Sequence, residues 1–121
     1  MDNFYKKLNE ECDVRFPYPN EQDWEWCAGD YTRTNDYIEF YKFYATVTDD
    51  WQKHLLINMI VQGIEDLMEQ SKDEAYIDML WSKVKEILID DHHRDTIVYW
   101  SCVGQELEDC WLISSKMREL L

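Results

Sequence analysis

The chain has 121 residues, 45% of them hydrophobic and 15% aromatic, which is enough to form one packed domain. Its 26 acidic residues outnumber its 12 lysines and arginines, leaving a formal net charge of −14. This charge repels polyanions, so direct binding to nucleic acid or to an anionic membrane is disfavoured. The charged N-terminus and the lack of a long apolar run predict a cytoplasmic protein without a signal peptide or a membrane span.

Glycine and proline are scarce, and long segments show the periodicity of amphipathic helices, which predicts an all-α fold. We expect one domain, residues 1–121, built as a bundle of about six helices. An irregular aromatic loop should separate the first helix from the second. In chain order, the predicted helices cover approximately residues 2–12, 35–47, 49–70, 72–91, 94–102 and 106–121.

The aromatic loop contains both prolines and the pair Trp24 and Trp26. Exposed tryptophans beside acidic residues are effective anchors in protein interfaces. The alternative, packing into the core, is the more common role of such residues. If they are exposed, Trp24 and Trp26 are candidate partner-binding residues.

Two start signals support the predicted helices: Asp36 with Glu39 resembles a capping pair, and Ser71 with Glu74 forms a capping box. The second signal begins the fourth predicted helix. Its apolar positions, at helical spacing, should form one continuous buried stripe. They are Ile77, Leu80, Trp81, Val84, Ile87 and Leu88.

The four cysteines do not form a C-x-x-C pair and do not match the ligand spacing of a zinc site. In a reducing cytosol we expect them to be free thiols that fill small core positions. A structural disulfide is the alternative interpretation. The four residues are Cys12, Cys27, Cys102 and Cys110.

Catalytic motifs are sparse. Three scattered glycines cannot build a phosphate-binding loop, and no G-x-S-x-G motif is present, so we predict a protein that is not an enzyme and needs no cofactor. The exception is the run from Asp90 to Asp95, where His92, His93 and Asp95 could serve a metal-dependent hydrolase. Such a site needs further ligands, and the remaining histidine is His54. An exposed junction between two helices explains the run more simply.

Some acidic residues are unfavourably placed for their own helices. A helix C-terminus carries partial negative charge, yet Glu65, Asp66 and Glu69 end the third predicted helix, and Asp90 and Asp91 end the fourth. Glu65 and Glu69 also form a like-charge pair. Local rules broken without compensation often indicate a functional surface.

Short loops should make successive helices antiparallel, so the turn after the third helix and the turn after the fifth lie at one end of the bundle. A carboxylate-rich surface there would suit a basic protein partner. The acidic candidates for this surface are Glu65, Asp66, Glu69, Asp73, Glu74, Asp90, Asp91, Glu106, Glu108 and Asp109.

The segments 99–102, 107–111 and 116–120 resemble the C-terminal part of immunity proteins of bacterial polymorphic toxin systems, including contact-dependent growth inhibition. The resemblance implies an inhibitor that binds and neutralises a cognate toxin, often a ribonuclease or other nuclease with a basic active-site cleft. A DNA-mimicking inhibitor encoded by a phage or mobile element, acting against restriction or CRISPR enzymes, is the alternative with the same acidity.

Overall fold

The computed structural model describes residues 31–44, 50–71 and 73–121. All regular structure in these residues is helical, which confirms the all-α fold class. None of the helices described is long and apolar enough to cross a bilayer. The first predicted helix, Trp24 and Trp26 lie outside the described residues. The α-helices are α1 (Thr34–Tyr44), α2 (Asp50–Gln70), α3 (Glu74–Asp90), α4 (Arg94–Ser101) and α5 (Ser114–Arg118), with 3-10 turns at Tyr31–Arg33 and Leu107–Asp109.

The chain divides into two compact units, Met1–Gly63 and Ile64–Leu121, and the division falls within α2. The first unit contains α1 and most of α2. The second contains the last turns of α2 and all of α3, α4 and α5. The expectation of one domain stays a prediction.

In the first unit, α2 approaches the start of α1 closely at Gly63. Thr34 is completely buried, and its hydroxyl donates to the Tyr31 carbonyl at 2.7 Å. A Cβ atom on Gly63 would overlap the Thr34 hydroxyl oxygen. The missing side chain is therefore what allows this approach.

In the second unit, α3 buries the predicted apolar stripe in full, from Ile77 to Leu88. Its predicted cap is wrong, because Asp73 is the N-cap residue. The Asp73 carboxylate accepts from the Tyr76 backbone N–H at 3.1 Å. Ser71 lies two residues earlier, where its hydroxyl accepts from the Asp73 N–H.

The sixth predicted helix is also wrong. In its place are the 3-10 turn Leu107–Asp109, an extended Cys110 and the short helix α5. A continuous helix would use the N–H groups of Leu112 and Ile113 for its own carbonyls, but here they donate to Glu65. Long-range hydrogen bonds therefore replace local ones in this segment.

Candidate partner-binding surface

Glu65 is a buried structural residue. Its side chain is only 3% exposed. One carboxylate oxygen accepts from the Leu112 N–H at 3.1 Å, and the other accepts from the Ile113 N–H at 2.8 Å. The prediction that Glu65 contributes to a surface for a partner is therefore wrong, because its charge is enclosed and both oxygens are already bonded.

Burial raises the pKa of Glu65. The two backbone N–H donors lower this pKa, and the nearby charges of Glu69 and Asp66 raise it further, but desolvation is the largest cause. The ionised carboxylate is therefore destabilised by desolvation, and the two hydrogen bonds offset part of this free-energy cost. This cost makes the stability of the fold sensitive to pH.

Three side-chain contacts bring separate elements of the second unit to the segment 112–118. Glu65 joins the last turns of α2 to Leu112 and Ile113. Lys116 pairs with Asp78, in the first turns of α3, at 3.3 Å. Arg118 binds carbonyls at the end of α4. The last turns of α2, the first turns of α3 and the end of α4 therefore all contact one short segment of this unit. That the two turns lie at the same end of the bundle stays a prediction.

The segment after α4, residues 102–110, is closed by a disulfide between Cys102 and Cys110, whose Cα atoms are 6.0 Å apart. The expectation of free thiols is therefore wrong for this pair; Cys12 and Cys27 lie outside the described residues. We call this segment the acidic loop because it holds three acidic residues and no basic one. All three are exposed: Glu106, Glu108 and Asp109.

The Arg118 side chain binds backbone carbonyls at the end of α4 and in the acidic loop. Its Nε donates to the Ser101 carbonyl at 2.8 Å, and its Nη2 donates to the carbonyls of Cys102 and Gln105 at 2.7 and 2.8 Å. Carbonyls at a helix C-terminus lack intrahelical donors and carry partial negative charge. The guanidinium supplies hydrogen-bond donors and a positive charge to these carbonyls. No local pattern in the sequence indicates this role of Arg118.

Among the described residues, two cations on these elements are engaged in contacts within the protein. Lys116 pairs with Asp78 and Arg118 binds carbonyls, while Lys72 lies outside the described residues. Asp66 is half-buried. The remaining carboxylates on these elements are exposed, and we call them the acidic end. They are Glu69, Asp73, Glu74, Glu106, Glu108 and Asp109.

Asp90 and Asp91 do not belong to the acidic end. Both are exposed, but they precede α4, whereas the acidic loop follows it. The eight residues of α4 span about 12 Å at 1.5 Å per residue. This distance exceeds the Debye length of about 8 Å at physiological salt, so the two groups of charges act separately on a partner.

The run from Asp90 to Asp95 forms a Schellman turn. His92 has φ 57°, its N–H donates to the Ile89 carbonyl, and the His93 N–H donates to the Leu88 carbonyl. The turn explains His92 and His93 as a connection between α3 and α4. Within the described ranges, no three residues of ligating type are grouped closely enough to hold a metal ion, and His54 is in the other unit.

Glycine at position 92 should stabilise the protein. His92 occupies the left-handed region, which costs a residue with a Cβ about 1–2 kcal/mol. Allowing for the extra freedom of glycine in the unfolded chain, His92→Gly should raise the free energy of unfolding by roughly 0.5–1 kcal/mol. Urea denaturation measures this change. His93→Gly is the matched control at an ordinary φ of −79°, and it should destabilise; equal effects at both positions would contradict the assignment.

No protein-family model, curated protein or solved structure matches this chain. The candidate surface is therefore defined by the charges and contacts above. Six of the ten predicted acidic candidates are exposed on the elements that contact the segment 112–118, and their grouping into one surface stays a prediction. Glu65 is enclosed, Asp66 is half-buried, and Asp90 and Asp91 lie before α4.

Proposed function

We propose that this chain is a non-enzymatic immunity protein that binds and neutralises a cognate bacterial toxin domain in the cytoplasm. The toxin would be a ribonuclease or other nuclease with a basic substrate-binding cleft. The observation that carries the proposal is the acidic end, six exposed carboxylates on elements whose Lys116 and Arg118 are engaged in contacts within the chain. The resemblance of segments 99–102, 107–111 and 116–120 to immunity proteins supports the same function.

The acidic loop is the part of this surface best suited to bind a basic cleft. The disulfide and Arg118 hold its backbone, so the backbone of the loop loses little conformational freedom on binding. Val103 and Leu107 are 63% and 48% exposed beside them, and can add apolar contact area. A positive cleft attracts such a surface over a distance, and this attraction raises the association rate at low salt.

The test uses the protein encoded by the gene adjacent to this one. Its toxin domain is purified, and its association with the chain is measured by surface plasmon resonance at two salt concentrations. Glu106→Lys/Glu108→Lys should lower the low-salt association rate by about tenfold or more, since steering alone changes such rates by 10–1000-fold. Asp90→Lys/Asp91→Lys is the control, with the same change in charge on the other side of α4, and should lower the rate much less.

The outcomes separate the function from the surface. If the neighbouring domain does not bind the chain and its activity is not inhibited, the immunity function is wrong. If it binds but both charge variants slow association equally, the net charge and not the acidic end drives binding. If the chain instead inhibits a restriction or CRISPR enzyme, it belongs to the DNA-mimicking class.

A further inference from the structure

The two sulfurs of the Cys102–Cys110 disulfide have different electrostatic surroundings. Cys110 Sγ lies 3.7 Å from Nη2 of the Arg118 guanidinium. Cys110 Sγ also lies 3.5 Å from the Cys102 carbonyl oxygen, but the full charge of the guanidinium outweighs this partial charge. Cys102 is the C-cap residue of α4, so it lies at the negative end of the helix dipole. A thiolate is stabilised beside a cation and destabilised by negative charge. If the disulfide opens, the negative charge is therefore better placed on Cys110 than on Cys102.

The acidic carboxylates do not remove this asymmetry. Asp109 is adjacent to Cys110, and Glu106 and Glu108 share the loop, but all three side chains are exposed to solvent. Water and salt weaken their effect on the sulfur. The Arg118 guanidinium, by contrast, is half-buried and held by three carbonyls next to the sulfur.

The disulfide can open without disturbing the core. Both cysteines are half-buried, and every residue from 103 to 109 is exposed. The chain on either side of the loop has its own attachments. Trp111 packs on Trp100 with ring centroids 4.7 Å apart, and Glu65 binds the next two N–H groups. Helices α4 and α5 should therefore persist after the sulfur–sulfur bond is broken.

We propose that the Cys102–Cys110 disulfide is a reversible modification site for a low-molecular-weight thiol, which attacks at Cys102 Sγ. The thiolate sulfur of the reagent bonds to Cys102 Sγ while the bond between the two cysteines breaks. The electron pair of the broken bond leaves on Cys110 as a thiolate beside Arg118. A second thiolate then attacks the reagent sulfur of the mixed disulfide. This step releases the Cys102 thiolate, which takes a proton from water, and the reagent leaves as its own disulfide.

The consequence for binding rests on the proposed function. Opening the disulfide frees the acidic loop, so its carboxylates lose their fixed arrangement and the affinity for a basic cleft falls. In a reducing cytoplasm, disulfides are rare and those present are usually catalytic or redox-sensing. The same loop would then bind a toxin in one oxidation state more tightly than in the other.

The direct test treats the oxidised full-length chain with reduced glutathione and blocks free thiols with N-ethylmaleimide. Cleavage after Glu106 and Glu108 separates the two cysteines for mass spectrometry. Glutathione should be found on Cys102 and maleimide on Cys110, in severalfold excess over the reverse pattern, because the better stabilised thiolate leaves faster. Far-UV circular dichroism should stay unchanged. Equal modification of both cysteines, modification only with loss of helicity, or maleimide on both before glutathione is added would overturn the proposal.

Variants of Arg118 test the source of the asymmetry. Arg118→Ala should slow the exchange severalfold, because the leaving Cys110 thiolate loses the cation beside it. Arg94→Ala removes the same charge at the other end of α4 and should exchange at the wild-type rate; equal rates in these two variants would overturn the role of Arg118. If Arg118→Ala is not folded by circular dichroism, Arg118→Lys replaces it, and must also exchange more slowly than wild type.

Binding provides a separate readout. The neighbouring toxin domain is titrated with the oxidised and the reduced chain. Tighter binding to the oxidised chain supports regulation, and equal tight binding to both overturns it. Absence of binding to either form removes the proposed immunity function while the regioselective exchange at Cys102 stands on the mass spectrometry alone.

Discussion

Replacement of Glu65 by alanine is expected to lower the free energy of unfolding by about 2–4 kcal/mol, since each buried donor left without a partner costs roughly 1–3 kcal/mol. The substitution leaves the N–H groups of Leu112 and Ile113 without their acceptor. Because these bonds hold the segment that replaces the sixth predicted helix, its attachment to α2 should be lost. Urea denaturation followed by circular dichroism measures the change.

Two variants make this expectation specific. Glu69→Ala changes an exposed carboxylate one turn later in α2, and its effect should stay within about 0.5 kcal/mol, as is usual for surface positions. Glu65→Gln retains one carbonyl acceptor but directs an NH₂ group at the other donor, so its effect should lie between those of wild type and Glu65→Ala. If Glu65→Ala costs no more than Glu69→Ala, the two hydrogen bonds do not stabilise the fold as described.

Glu65 should also give the wild-type protein a pH dependence that Glu65→Gln lacks. Burial raises the pKa of Glu65 in the folded state above its ordinary value near 4.5, so the folded state holds the proton more tightly than the unfolded chain. As pH rises from this ordinary value through the raised pKa, the unfolded chain ionises first and unfolding is favoured. The stability of wild type minus that of Glu65→Gln should therefore fall over this window and then level off. A flat or rising difference would contradict the raised pKa.

Glu65 also marks the limit of local sequence reasoning about this chain. A glutamate near a helix C-terminus, four residues before another glutamate, breaks two local preferences. That pattern correctly indicates a special residue, but it does not distinguish a binding surface from a tertiary contact. The acceptor role depends on Leu112 and Ile113, 47 and 48 positions away, and no periodicity encodes such a pairing.

Where side-chain periodicity dominates, the sequence is a reliable guide. The stripe from Ile77 to Leu88 is buried as predicted, because one apolar face of a long helix has a single favourable environment. The last segment fails for the opposite reason. Leu107, Trp111 and Met117 fit a helical period, but the disulfide at Cys110 and the bonds to Glu65 interrupt the backbone pattern between them.

The acidic end involves topology and side-chain contacts together. Antiparallel topology predicts that the turn after α2 lies near the loop after α4, since short connections leave few alternatives. The sequence could not show that Arg118 and Lys116 are engaged in internal contacts. The acidic loop has no lysine or arginine of its own, and these two cations are held by Asp78 and by backbone carbonyls. The strength of the candidate surface therefore depends on the positions of two cations as well as on the acids themselves.

Replacement of Gly63 by alanine should destabilise the protein, although alanine is the better helix former by about 1 kcal/mol. Gly63 lies inside α2, where this preference would normally make the change favourable. The added Cβ overlaps the hydroxyl oxygen of Thr34, which is completely buried and bonded to the Tyr31 carbonyl, so it cannot move aside freely. Overpacking of this kind typically costs about 1–3 kcal/mol. Thermal and urea denaturation measure the net effect.

A double-mutant cycle isolates the cause. Thr34→Ala removes the overlapping hydroxyl and has its own cost, because a buried hydrogen bond is lost. In that background the overlapping hydroxyl is gone and the Cβ of residue 34, 3.3 Å away, is the remaining close atom, so Gly63→Ala should cost much less than in the wild type. The coupling between the two positions should then be about 1–3 kcal/mol. Additive effects would mean that α1 and α2 do not approach at this point, and that Gly63 has another role in the helix.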